Sequence, residues 1–204
     1  MAEPFVAVGG IAASWPQPNV DTDVIMPKQF LKGIDRSGLA RGVFHDLRFD
    51  ASGAPRPGFV LNQAPWQEAR FLVVGPNFGC GSSREHAVWG LLQLGIRALI
   101  GTSFAGIFFD NCRNNGLLAL ALEPARVAEL AALARQAGTA AMTIDLPSQT
   151  ITAAGGHICR FEIEAARKQA LLGGLDPIGL TLQRADAIRS FERALAEREP
   201  WTFA

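Results

Sequence analysis

With 204 residues and 19 basic against 19 acidic side chains, the chain has no net charge to draw it to nucleic acid or to an anionic membrane, so any charged partner must be met by a local patch. Three cysteines, Cys80, Cys112 and Cys159, are an odd and scattered set that argues against a disulfide framework, does not by itself make a cluster-binding group, and fits a reducing compartment. No run approaches the ~20 apolar residues of a membrane span, and the first residues are acidic where a secretory leader is basic, so one cytoplasmic domain with a substantial core is expected.

In chain order, Phe5 to Ile11 predicts a strand, and Trp15-Pro-Gln-Pro breaks it. Asn19-Val-Asp-Thr-Asp23 is dense in side-chain oxygens. Asp21 and Asp23 have no further spaced ligands to make a cation site, so they read as a hydrogen-bonded turn. Lys32 to Leu39 is basic, glycine-bearing and without period, which predicts a loop. His45 lies among aromatics and reads as a packed or surface residue, and Asp50 to Gly58 is a Gly/Pro connector.

Phe71-Leu-Val-Val is short and bounded by Gly and Pro, the pattern of a buried strand. It opens into Asn77-Phe-Gly-Cys-Gly-Ser-Ser-Arg-Glu-His86, where Gly79 and Gly81 permit a sharp turn. Ser82 or Ser83 then suits an N-cap, with Glu85 three residues after Ser82 as a capping box requires, for a helix over Ala87 to Leu94 that ends at Gly95. Ile96 to Gly101 predicts a strand, Ser103 caps a helix over Phe104 to Asn114 stopped by Gly116, and Leu117 to Leu122 predicts the next strand. This βαβ alternation places any chemistry at the carboxyl ends of parallel strands. Pro124 to Gln136 is a helix, ended by Gly138. Met142 to Leu146, Gln149 to Thr152 and Cys159 to Ile163 are short strands, the last two joined through Gly155-Gly156. Ala165 to Leu172 and Leu182 to Arg198 are helices with a connector between them.

The loop after the second strand carries the chemistry. Backbone N–H groups and the dipole at a helix start favour an anion, two hydroxyls stand beside it, and Arg84 adds a planar fork that matches a carboxylate or phosphate. Better-known motifs fail on the same residues. A dinucleotide fingerprint breaks at Arg84 in place of the third glycine, and a nucleophile elbow lacks a flanking glycine in either serine register. No Gly-Lys-Ser/Thr occurs anywhere in the chain.

Asn19-Val-Asp-Thr-Asp-Val-Ile with Pro27-Lys-Gln-Phe-Leu-Lys, then Asn77-Phe-Gly-Cys-Gly-Ser-Ser-Arg-Glu-His-Ala, then Ser103-Phe-Ala with Asn114-Asn-Gly-Leu-Leu, and finally Gly174-Leu-Asp-Pro-Ile-Gly-Leu-Thr-Leu stand here in one order. Together, over essentially the whole chain, they resemble the small subunits of 3-isopropylmalate dehydratase in the aconitase superfamily. The resemblance implies an α/β fold, the swivelling β/β/α domain of that superfamily, as a single domain over residues 1–204 with a helical extension from about residue 165. It implies a partner, the large subunit, which holds a [4Fe-4S] cluster, with no metal or cofactor bound by this chain. The reaction implied is the dehydration of 2-isopropylmalate, a small dicarboxylate, and rehydration to 3-isopropylmalate in leucine biosynthesis.

By the same resemblance Ser82 carries the catalytic base as an alkoxide, which local N–H groups, the helix dipole and Arg84 would have to stabilise. Arg84 holds the developing carboxylate dianion, Ser83 adds a hydrogen bond to the substrate carboxylate or helps order the loop, and Arg36, in the loop where the superfamily distinguishes substrates, contacts a second carboxylate. Thr22 and Asp23 are expected to hold the loop, His86 to support it, and Cys80 to pack behind the turn. A related hydro-lyase for citraconate and 2-methylmalate or another branched malate, and a non-catalytic carboxylate sensor, are the alternatives.

Overall fold

Strand β1 (Ala7–Trp15) is the seam of the molecule. In the computed structural model, which describes residues 2–32 and 36–203, β1 pairs in parallel with β2 (Ala69–Val74). Strands β3 (Ala98–Gly101) and β4 (Leu118–Ala121) extend the parallel half. Along its other edge β1 runs antiparallel to β5 (Ala141–Asp145), which is followed by β6 (Thr150–Ala153) and β7 (Ile158–Arg160). The seven-stranded sheet has the order β4-β3-β2-β1-β5-β6-β7. The sequence pattern closes the first strand at Ile11, but Ile11 is where it changes partners. Residues 7–11 lie along β5, a register shift falls between Ile11 and Ala12, and residues 12–15 continue along β2. Pro16, which lacks an N–H for the ladder, stands just beyond its end.

The connection from β1 to β2 carries two single-turn helices, α1 (Thr22–Ile25) and α2 (His45–Arg48). Helix α3 (Glu85–Gln93) crosses from β2 to β3, α4 (Gly106–Asn115) from β3 to β4, and α5 (Pro124–Ala134) returns from β4 to β5. Because successive side chains on a strand point to opposite faces, β2 feeds two cores. Phe71 and Val73 pack with Val8, Ile100, Leu120 and the α5 residue Leu130. Leu72 and Val74 pack with Leu99, with Val88 and Leu91 of α3, and with Phe108 of α4. Pro124 occupies the first turn of α5, and Gly116 ends α4 at φ 77°, both as expected from the sequence.

Three helices complete the chain, α6 (Ala165–Gly173), α7 (Pro177–Leu182) and α8 (Ala185–Arg198). The stretch expected to be a connector before Leu182 is helical: the Asp176 side chain accepts from the Gly179 N–H at 2.7 Å, and Pro177 takes the first helical position. Helix α6 buries Ala170 and Leu171, and the Phe5 N–H donates to the Leu171 carbonyl at 2.9 Å. Helix α8 buries none of its residues, and Ile188, Phe191 and the later Trp201 are exposed. Among the described residues no helix is long and apolar enough to cross a membrane.

This division of labour is measurable by urea unfolding. Leu72→Ala, which empties a fully buried site between β2 and α3, should cost about 3 kcal/mol. Phe191→Ser on α8 should stay within about 0.5 kcal/mol.

Candidate active site

Three loops meet where β1, β2 and β3 end, and the backbone itself joins them. Gly79 and Cys80 both donate N–H groups to the Val20 carbonyl, at 2.8 and 3.2 Å, and the Thr22 N–H donates to the Cys80 carbonyl at 2.9 Å. Asp21 and Cys80 thereby form a parallel bridge, and Phe78 and Phe104 form another with the loop after β3. Asn19 and Asn77 both have left-handed φ values, 54° and 55°, a conformation that Asn tolerates better than most residues. The Asn77 side-chain amide donates to the Asn19 Oδ1 at 2.8 Å, which locks the two turns to each other.

Both loop glycines are needed as the sequence suggests. Gly79 has φ 78°, and a Cβ there would enter the ring of Phe108. Gly81 has φ 86°, and a Cβ there would strike the Asp21 carboxylate. Phe78 anchors the loop from below, fully buried and edge-on to Phe108 at 5.5 Å.

The expected caps are not made. Helix α3 begins at Glu85 after an extended Arg84, and neither Ser82 nor Ser83 reaches its N–H groups. Glu85 closes no capping box; its Oε1 accepts from the Asn115 Nδ2 at 2.6 Å. Ser103 likewise does not cap α4, whose boundary residue is Ala105, because its Oγ accepts the Asn77 N–H at 2.9 Å. For Glu85 and Ser103 a partner from another loop or helix outcompetes the local cap. Ser82 and Ser83 are left exposed at the tip, with no side-chain hydrogen bond among the described residues.

What fixes Ser82 is its backbone. The buried Thr22 hydroxyl donates to the Ser82 carbonyl at 2.8 Å. Asp21 and Asp23 form the turn expected of them: the Asp21 carboxylate accepts the Asp23 N–H at 2.6 Å and caps α1. Asp23 also pairs with Arg84, whose side chain is only 13 % exposed. One ion pair uses part of the guanidinium fork, and among the described residues its other N–H groups make no hydrogen bond.

Arg36 is held separately, on the outer face of α3. Its guanidinium lies 4.1 Å over the ring of Trp89, about 6 Å along the helix from Glu85 at 1.5 Å per residue. Gln93 grips the backbone at two points, its Oε1 accepting the Leu39 N–H at 2.8 Å and its Nε2 donating to the Arg36 carbonyl. Trp89 in turn donates to the Asn115 Oδ1 at 2.8 Å. Glu85, Trp89 and Gln93 are spaced by four residues and share a helix face, a stripe that no motif in the sequence marks. His86 packs on Trp89, ring centroids 4.7 Å apart. Residues 33–35 of the expected loop lie outside the described residues.

Among the described residues no three His, Cys, Asp or Glu side chains converge on a point that would hold a metal. Cys112 and Cys159 lie in opposite core layers, and burial pushes the Cys112 thiol well above its ordinary range. Cys80, expected to pack behind the turn, is half-buried, and its backbone is part of the turn itself.

Residues 2–125 match the family model of the aconitase C-terminal domain, and residues 128–165 match the model described as LeuD_N. Residues 178–204 match the model of the C-terminal domain of 3-isopropylmalate dehydratase small subunits. Among curated relatives, the 3-isopropylmalate dehydratase small subunit 1 of Mannheimia succiniciproducens is 53 % identical, covering 97 % of each chain. Small subunit 2 of Salmonella typhimurium is 54 % identical over 97 % of this chain and 94 % of its own, and the small subunit of Rhodospirillum rubrum is 51 % identical over 98 % and 96 %. A crystal structure of 3-isopropylmalate dehydratase from Methanocaldococcus jannaschii superposes with a TM-score of 0.65 at 26 % identity, covering 92 % of this chain and 99 % of that one.

The loop geometry sets an unequal cost for two substitutions, readable by chemical denaturation. Gly79→Ala should destabilise by about 2 kcal/mol or more, from a left-handed φ and a methyl driven into Phe108. Gly138→Ala, at a site with open space around the added methyl, should change stability by less than about 1 kcal/mol.

Proposed function

The chain belongs to the aconitase C-terminal domain family, among the small subunits of 3-isopropylmalate dehydratase, and on that footing we propose that it completes a hydro-lyase site shared with a large subunit. In this reading the complex interconverts 2-isopropylmalate and 3-isopropylmalate by dehydration and rehydration, in the cytoplasm, and the isolated small subunit is inactive. The whole chain acts as one swivel domain, with residues from about 165 onward as a helical extension. The observation that carries the reading is the Ser82-Ser83-Arg84 tip: two exposed hydroxyls spared from capping, beside a pinned guanidinium, on a turn whose backbone is fixed by Thr22 and Val20.

The reaction removes a weakly acidic C–H proton beside a carboxylate and expels hydroxide, a poor leaving group. Expelling hydroxide calls for Lewis acidity, which this reading assigns to a [4Fe-4S] cluster on the large subunit. The dispersed cysteines of this chain do not fit a cluster of their own. What this chain supplies is the base and the anion grip. Ser82, as alkoxide, takes the proton, and the bond from the Thr22 hydroxyl to its carbonyl holds its backbone in place while charge moves. Arg84, oriented by Asp23, offers its remaining N–H groups to the carboxylate whose charge grows in the transition state, and Ser83 donates a further hydrogen bond. Arg36 reaches a second carboxylate from the loop that Gln93 anchors.

Reconstitution with the large subunit tests the roles. Ser82→Ala should lower kcat by about 10³-fold or more while the complex still assembles on a sizing column; near-normal turnover would refute the base. Arg84→Lys, which keeps the charge but loses the fork, should raise KM for 2-isopropylmalate about tenfold. An ultraviolet assay across alkylmalates distinguishes the isopropyl substrate from methylmalate. Tight calorimetric binding of isopropylmalate to the isolated chain would favour a sensor instead.

A further inference from the structure

Away from the three loops, a second polar group is built into the fold without a visible task. Arg167 lies in the first turn of α6 and is only 6 % exposed. Its Nε and Nη2 atoms are buried with no hydrogen-bond partner, and no hydrogen bond from its guanidinium is made among the described residues. Its guanidinium lies 4.3 Å over the ring of Phe109. A buried arginine without a hydrogen-bonded counter-ion is costly, and the first turn of a helix, where the dipole is positive, is an unfavourable place for a cation. Each condition would be relieved by one thing, an anion.

A cavity of about 220 Å³ is at hand to receive it. Arg167 forms part of its lining, with Phe109, Leu120 and Ile163 as apolar wall, while Asp110, Glu162 and Glu164 are exposed and Arg113 is the other cation. The acid nearest to a cation is already engaged, Glu164 lying 4.0 Å from Arg113. The buried cation with acids towards solvent sorts anions by charge. One carboxylate gains from Arg167, whereas a second negative charge would meet the outer acids.

We propose that this cavity binds a small monocarboxylate with a short apolar tail, its carboxylate on Arg167 and its tail against Phe109, Leu120 and Ile163. The assignment stands apart from the Ser82-Ser83-Arg84 tip and does not depend on the reaction proposed for it. The planar guanidinium suits a carboxylate, and the apolar wall gives the tail a dry surface that a bare inorganic anion cannot use.

Thermal unfolding of the full chain with isobutyrate, chloride or isobutyramide tests the proposal. Isobutyrate at roughly ten times its Kd should raise Tm by about 4 °C, chloride should do much less, and the neutral amide should do nothing. In Arg167→Met, which keeps an apolar contact with Phe109, the isobutyrate shift should vanish. No shift in the parent chain, or the same shift in the variant, overturns the site; chloride matching isobutyrate overturns the role of the tail. If Arg167→Met fails to fold, Arg167→Lys serves, and an undiminished shift in that variant overturns the guanidinium as the anion's partner.

Discussion

Val20 and Cys80 come from loops sixty residues apart, yet their backbones are hydrogen-bonded as though they were neighbouring strands. That short pairing depends on Gly79 and Gly81, because side chains at those positions would meet Phe108 and Asp21 at the point where the loops must touch. The pairing is what converts a flexible serine-rich tip into a fixed one. With the backbone held, neither Ser82 nor Ser83 need use its hydroxyl for structure, and both can point at solvent or substrate. Polar groups normally satisfy the fold first; here the fold is satisfied by carbonyls and N–H groups, and the side chains are left over.

The parts of this arrangement that are legible in the sequence are those set by local sterics. The buried run at Phe71–Val74, the need for glycine at 79 and 81, the αL stop at Gly116 and the proline at the start of α5 are each properties of a few adjacent residues. The caps are not legible, because a serine before a helix offers its oxygen to whichever N–H arrives. At Ser103 that is Asn77, 26 positions away. Glu85 is taken by Asn115 in the same manner, at a separation of 30. The full reach of β1 is hidden too, because nothing local marks a strand that changes partners at Ile11.

The Arg36 loop shows the same limit from the functional side. Its basic character can be read from its residues, but what holds it cannot, since Gln93 lies 54 positions from Leu39. A single amide side chain, with a donor and an acceptor a fixed distance apart, joins two points of that loop to the helix that also begins at the Ser82-Ser83-Arg84 tip. Helix α3 is thereby common support for both, so the separation between the tip and the loop's anchor follows from helix geometry.

The position of β1 also shapes how the chain can be made. It precedes both of its partners in the chain: its parallel partner begins at Ala69 and its antiparallel partner at Ala141, with Ala7 opposite Asp145. The central ribbon of the sheet must wait for its second neighbour until β5 has been made. Until then a nine-residue strand rich in Ala and Gly has an open edge, and closing the sheet calls for pairing at long sequence separation, the kind of contact that costs most loop entropy to form.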